Sequence, residues 1–486
     1  MWQSCKGTQT IRIYKEHERL GPVVRIAPNH LSFNDPAAYK DIYGYSVPII
    51  KGDFYVLVSE GNPSLAQATD KAVHSAKRRA MAHAFSAKEI NSMEPRVVAT
   101  ATNLCAAIKT KIAGATLGPG DQYHALSING DSAVLDLRPW LNMFSYDAIS
   151  SMAFTNEFGF LKRGNDICSS INEKGDEIFV HAMDSFHSAN QYNTLTAQLP
   201  PPLYKLCRKA LFWMHGNKAG GYFAGMSRSQ VQRRLKNEPA DRDLFSSLPI
   251  RPTEKRPIPM EEAELVAECA TMLDAGNDTT QSTLAGCMFH LASNPEKQRK
   301  LFDALTTGLN ICNDKTNGDI VFYVPSYKEL QHIGYLRAVL EENWRCRPPL
   351  ARGLPRITVG QGATIAGNFI PPGVTVSATV YAIHHDKTLF RRPLEFIPER
   401  WMPEEDFGKD ETEAKNLKDY CIPFSLGPRA CIGRNLAYME VSIVIAALVL
   451  NFEWEMAEKR ADMPMFERFN YNPKELIVKG KVRQYR

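Results

Sequence analysis

Residues 22–60 alternate apolar and polar positions (Val23, Val24 and Ile26, then Tyr55, Val56, Leu57 and Val58), which predicts short strands. Apolar spacing of three and four predicts helices within 71–110 and 133–160, separated by a Gly- and Asp-containing loop over 111–132. Five prolines (Pro239, Pro249, Pro252, Pro257 and Pro259) break any helix over 237–260 and predict a connecting segment. A long helical pattern runs from Glu261 to Ser293 and stops at Asn294-Pro295. Another runs from about Ile333 to Cys346 and stops at Pro348-Pro349, with short strands through Val380. Residues 403–420 are polar and predict a surface loop, and a last helix, Arg434 to Leu450, begins just after Cys431. The pattern is that of a mainly α chain with small β-sheets, its strands clustered at both ends.

Composition narrows this picture only a little. The 486 residues carry 58 Lys+Arg and 53 Asp+Glu, a net charge of +5, with 44% apolar and 10% aromatic residues. These values exclude a disordered chain, a collagen-like repeat and a long coiled coil. So small a net charge gives no reason to expect nucleic acid as a partner, but it allows a local basic patch. Ten cysteines are scattered with no CxxC pair, so neither a zinc ribbon nor a disulfide scaffold is expected. The first 20 residues hold no apolar run, and the best apolar stretch, Val441 to Phe452, is 12 residues long and reads as a buried core helix.

The strongest chemical signal is Phe424-Ser-Leu-Gly427-Pro-Arg429-Ala-Cys431-Ile-Gly433. It sets a cysteine at the mouth of a helix, where unpaired amides and partial positive charge favour a thiolate. Gly427 and Gly433 allow tight turns and close approach of the backbone to a flat ligand. Phe424 can pack on the sulfur, and Arg429 can pair with a carboxylate. A thiolate bound axially to haem iron needs these features. A buried free cysteine in a turn is the plain alternative. Five fixed positions, however, arise together by chance in a chain of this length on the order of once in ten thousand.

The segment resembles the haem-binding signature of the cytochrome P450 family, and four further segments follow in family order. His74-Ser-Ala-Lys-Arg78-Arg79 is similar to the haem-propionate helix, with His where Trp is frequent. Ala275-Gly276-Asn277-Asp278-Thr279-Thr280 is similar to the oxygen-activation segment, and Glu342-Asn-Trp-Arg345 to the E-x-x-R pair. Phe396-Ile-Pro398-Glu399-Arg400-Trp401 is similar to the P-E-R-F segment, with Trp where Phe is usual. The texture of the first strands resembles filamentous-fungal members, the isotrichodermin hydroxylase type among them.

The resemblance implies a single haem-enclosing domain over 21–486, preceded by a segment, 1–20, without the membrane anchor usual in eukaryotic members. It implies haem b with Cys431 as axial ligand. Arg429, Arg78, His74 and Arg356 would face the propionates, and Phe424, Gly433, Ala275 and Gly276 would lie around the ring. Thr279 and Asp278 would carry protons, because splitting dioxygen needs an alcohol with an acid beside it; the local alternative is a Thr bonded to its own backbone. Glu342, Arg345 and Arg400 would form a structural charge cluster. Ala275 and Gly276, being small, would leave room above the iron. Lys71, Lys77, Arg79, Lys88 and Arg434 would offer a basic face to an NADPH-dependent cytochrome reductase. The substrate would be an apolar small molecule under the aromatic stretch 177–225, the state monomeric, and the location the endoplasmic reticulum surface. The competing readings are a haem-thiolate isomerase, dehydratase or coupling enzyme, and a non-catalytic haem carrier or sensor. His384-His385 reads as adjacent strand residues pointing to opposite faces, and so as no second metal site.

Overall fold

The computed structural model describes residues 5–58, 62–250, 259–311, 322–405, 407 and 417–484. Of the expected connecting segments, Pro252 and Pro257 and residues 408–416 lie outside the described residues. The helices that carry the site are α1 (Lys71–Ala82), α2 (Leu137–Phe154), α3 (Ala182–Thr196), α4 (Pro201–Ala210), α5 (His215–Lys236), α6 (Glu262–Ser293), α7 (Gly334–Cys346) and α8 (Arg434–Asn451). The strands near it are β1 (Val23–Ala27), β2 (His30–Phe33), β3 (Ile49–Lys51), β4 (Ile167–Ile171), β5 (Glu177–His181), β6 (Arg356–Thr358), β7 (Thr375–Ala378) and β8 (Tyr471–Pro473).

Helix α6 is the axis of the molecule. Its 32 residues are buried almost continuously from Asn277 to Ala292, and it packs against α2, α5, α7 and α8. A helix buried on nearly all sides belongs inside a large core, its polar residues Asp278, Ser282 and Thr283 there hydrogen-bonded within the fold, and the apolar α8 is likewise buried. By length and composition α8 could cross a membrane, but 83% of it is buried inside the protein. Polar residues set the ends: Asp70 accepts from the Val73 amide to start α1, and Asp136 accepts from the Arg138 amide to start α2. Gly276 allows α2 to approach α6, since a Cβ there would stand 2.5 Å from Ile149 Cγ1. Its smallness therefore serves helix packing as well as the room expected above the iron.

One five-stranded sheet has the order β1-β2-β7-β6-β3, with only the β2–β7 pair parallel. Its last pairing sets Lys51 opposite Arg356. Helix Gln9–Leu20, within the segment expected to precede the domain, packs on this sheet, where His17 Nε2 and Ser32 Oγ lie 2.8 Å apart. A four-stranded sheet ties the C-terminal end to residues 127–136, pairing Ser132–Asp136 with Ile477–Val482.

Four local expectations change. Tyr55–Val58 belong to a short helix, Asp53–Val58, because the run is apolar without true alternation and Asp53 opens its first turn. Residues 133–136 are strand rather than helix, and the expected loop holds a strand, Ser127–Asn129. The middle of the chain contains a hairpin, β4–β5, turned at Asn172–Asp176 and packed on α5. His384 ends a short helix, Val380–His384, instead of lying in a strand. His384 is tied to the Arg345 carbonyl and the Ile422 amide, so its two ring nitrogens are used within the fold.

Candidate active site

A cavity of about 940 Å³ lies between α6 and the loop before α8. Cys431 borders it at the mouth of α8 and is exposed toward it. The loop's shape is enforced by Gly427, whose φ is +73° and whose Cβ would fall 2.1 Å from the Tyr43 carbonyl oxygen. The Cys431 amide donates to the Phe424 carbonyl at 2.9 Å, closing the turn. Burial pushes the Cys431 thiol up, opposed by the Gly433 amide and by Arg78 and Arg434. Phe424 also lines the cavity and packs edge-on against Trp344, ring centres 4.9 Å apart.

On another wall the cavity meets a group of basic side chains. His74 and Arg78 project from one face of α1, Lys51 ends β3, and Arg429 comes from the cysteine loop. Arg356, Lys51's partner in the sheet, stands directly behind, 5% exposed. Their hydrogen bonds go to neutral groups. Arg78 donates to the Ala430 carbonyl (2.6 Å), Arg429 to the Ala68 and Thr69 carbonyls, Arg356 to the Tyr55 hydroxyl (3.0 Å), and Lys51 to the Ala66 carbonyl. Among the described residues none of these four makes an ion pair. Burial, then Arg356, pushes Arg429 down to about 10; burial, then Arg429, Lys51, Arg78 and Arg356, pushes His74 down to about 4. Basic side chains crowded beside a void, with no ion pair to Lys51, Arg78, Arg356 or Arg429 among the described residues, fit a ligand that brings carboxylates of its own. Haem does so. Lys51 was not singled out from the sequence; its signal is a charge at an inward position of an otherwise apolar strand.

Across the cavity, α6 presents Ala275, Gly276 and Thr279. Thr279 Oγ1 donates back to the Ala275 carbonyl at 2.8 Å, leaving the oxygen's acceptor side available. Asp278 departs from expectation. It does not line the cavity but turns behind α6, 1% exposed. There its carboxylate accepts from Asn470 Nδ2 (2.7 Å), Asn472 Nδ2 (2.8 Å) and Gln281 Nε2 (3.3 Å), and His187 Nε2 lies at 3.3 Å. Burial alone would push its acid up, yet His187 and the asparagines outweigh that and hold it below the usual carboxylate range. The sequence pattern gave no sign of these partners, since α3 and β8 lie far from α6 along the chain.

Glu342, Arg345 and Arg400 form a separate, closed cluster. Arg345 donates to both Glu342 oxygens at 2.8 Å, and Arg400 Nε lies 3.3 Å from the same carboxylate. Trp401 Nε1 (2.9 Å) and the Ile397 amide (2.9 Å) also donate to it. Burial pushes the Glu342 acid up, but the two arginines prevail and hold it down.

Of the expected basic face, Lys71, Arg79, Lys88 and Arg434 are exposed. Lys77 is not. It is buried between α1 and α6, paired with Glu264 (2.7 Å) and Glu268 (2.8 Å), because it shares the inward stripe of α1 with His74. The aromatic stretch also divides: Phe186 and Phe223 line the cavity, whereas Phe179, Phe212 and Trp213 face solvent.

Residues 13–479 match the family model described as Cytochrome P450. The cytochrome P450 monooxygenase efuB of Hormonema carpetanum is 31% identical over 94% of this chain and 84% of its own length. The cytochrome P450 monooxygenase stcF of Emericella nidulans is 30% identical over 94% and 85%. The benzoate 4-monooxygenase bphA of Aspergillus niger is 30% identical over 99% and 90%. A crystal structure of a cytochrome P450, CYP102L1, superposes with a TM-score of 0.72 at 18% identity, covering 98% of this chain and 94% of that one.

Proposed function

Given that the chain belongs to the cytochrome P450 family and is a haem-thiolate monooxygenase, we propose that Cys431 would hold the iron of a haem b received by the 940 Å³ cavity. The observation that carries this reading is the pairing, around one cavity, of a thiol at a helix mouth with a crowd of basic side chains that make no ion pair among the described residues. When bound, the haem supplies the activation of dioxygen, and its thiolate ligand favours O–O cleavage. Arg78, His74 and Arg429, joined by Lys51, would hold its carboxylates, with Arg356 adding positive charge from behind the wall. Phe424 keeps water from the sulfur. Thr279 accepts and passes a proton at its Oγ1 within the cavity. Asp278, ionised at rest behind it, would first take up a proton from solvent and then pass it on as its bonds to Asn470, Asn472 and His187 rearrange.

The substrate is an apolar small molecule, oxidised by hydroxylation or epoxidation in secondary-metabolite biosynthesis, and the protein works as a monomer. Electrons come from an external NADPH-dependent reductase docked on the face of Lys71, Arg79, Lys88 and Arg434. The endoplasmic reticulum membrane is its setting. Leu203 and Leu206 of α4, with Phe212 and Trp213 after it, are exposed beside Lys205, Arg208 and Lys209. Such an apolar edge flanked by cations suits a lipid surface.

Expressed with haemin, the wild-type protein is expected to show thiolate-type absorption after reduction and treatment with CO. Cys431→Ser is expected to keep the helical circular dichroism and lose that absorption; an unchanged spectrum removes Cys431 from the iron. Labelled dioxygen, reductase and NADPH should place label in the product, and unlabelled product turns the reading to isomerisation, dehydration or coupling.

A further inference from the structure

Helix α6 carries five acids, and four of them are engaged. Glu262 accepts from Gln232, Glu264 and Glu268 from Lys77, and Asp278 from the asparagines described above. The fifth, Asp274, makes no hydrogen bond or ion pair among the described residues. It lies one turn before Asp278 yet, unlike it, lines the cavity, with Ala270, Ala275, Ile149 and Phe186 among its fellow lining residues. The Tyr146 hydroxyl on α2 is within electrostatic reach of it, but that hydroxyl has no hydrogen-bond partner either. Burial and the neighbouring Asp278 push the Asp274 acid up to about 8, so at neutral pH it is mostly a carboxylic acid with a proton to donate. The side chain is only partly buried and opens onto the cavity, so its carboxyl is free to bond a ligand held there.

We infer that Asp274 is a specificity-determining residue that hydrogen-bonds an oxygen acceptor, a carbonyl or hydroxyl, on an otherwise apolar neutral substrate. The inference rests on the reading that the cavity above Cys431 receives substrate. Five residues separate Asp274 from Thr279, about 7.5 Å along the helix, so the acceptor oxygen sits about that far from the carbon presented beside Thr279. Substrates with a fixed cation or a carboxylate are disfavoured: a cation lacks the acceptor, and an anion approaches the charge of Asp278.

The test compares probes that share a skeleton, androstenedione with androstane and camphor with camphane, and adds dodecylamine as a cation. Kd is measured by equilibrium dialysis for the haem-loaded wild type, Asp274→Asn and Asp274→Leu. In the wild type at least one ketone is expected to bind about tenfold tighter than its hydrocarbon mate. The Asn variant, which keeps a donor, should retain most of that ratio, and the Leu variant should bring it close to unity while hydrocarbon binding holds or improves. Equal binding within both pairs in the wild type, a ratio that survives in Asp274→Leu, tightest binding of dodecylamine, or no binding of either ketone would each overturn the assignment. The reduced, CO-treated spectrum reports separately on Cys431. Its failure marks the haem reading as wrong, whereas a correct spectrum with an unmoved ratio marks only Asp274.

Discussion

Arg345 and Arg400 share the carboxylate of Glu342, and all three side chains are wholly buried. Lys51, Arg78, Arg356 and Arg429 share no carboxylate at all, although two of them, Lys51 and Arg356, are almost as deeply buried. The first group is complete in the polypeptide: the Trp401 indole and Ile397 amide donate to Glu342, and five backbone carbonyls accept from the arginines, three from Arg345 and two from Arg400. The second is complete only with a ligand that brings negative charge. Buried charge in this protein thus has two meanings. Where its partner belongs to the polypeptide it is closed within the fold, and where no carboxylate pairs with it, it borders the cavity proposed to receive the cofactor.

The comparison can be broken most severely at Glu342. Glu342→Ala leaves two guanidinium groups buried without their anion, a loss of about 3–5 kcal/mol. Urea unfolding, or simply the yield of soluble protein, should register it with or without haem. A variant as stable as wild type would mean that the cluster does not hold the cysteine loop's surroundings together.

At the open cluster the outcome should depend on the cofactor. Arg429→Leu removes one of several repelling cations while losing its bonds to the Ala68 and Thr69 carbonyls. These effects oppose each other, so the haem-free protein should change stability by no more than about 1 kcal/mol. The loaded protein should release haem to apomyoglobin about tenfold faster, since a charge-assisted bond to a carboxylate is worth about 1.5–3 kcal/mol. Equal destabilisation of both forms would make Arg429 a structural residue like Arg345.

The mildest probe is Trp401→Phe. It deletes one donor to Glu342 from a carboxylate that keeps its other partners, so a loss of about 1 kcal/mol is expected, read as a small fall in Tm with the spectrum unchanged. A much larger loss would show that Trp401, and not the arginine pair, is the main support of Glu342.

Much of the site was legible in the chain because it is encoded in short, rigid spacings. The run from Phe424 to Gly433 specifies its own turn through Gly427 and the Cys431–Phe424 backbone bond. His74 and Arg78 share a face because they are one helical turn apart, and the same spacing put Lys77 on the inward side, where it was mistaken for part of a surface. The hairpin β4–β5 escaped notice because its cross-strand partners alternate only weakly in polarity, and packing on α5 decides it. The strand Ser132–Asp136 is fixed by the far end of the chain, Ile477–Val482, which local periodicity cannot see.

The sequence by itself determined which residues have the chemistry: a thiol at a helix mouth, arginines for carboxylates, an alcohol in a mid-helix groove. Only the tertiary structure decided which way each side chain turns and what it meets. Asp278 and Asp274 lie on one helical stripe with like side chains. Segments distant in sequence bring Asn470, Asn472 and His187 to the first and, among the described residues, no hydrogen-bond or ion-pair partner to the second. A side chain's reach is local, but its partners are set by how the whole chain packs, so position along a helix names a candidate and packing assigns its role.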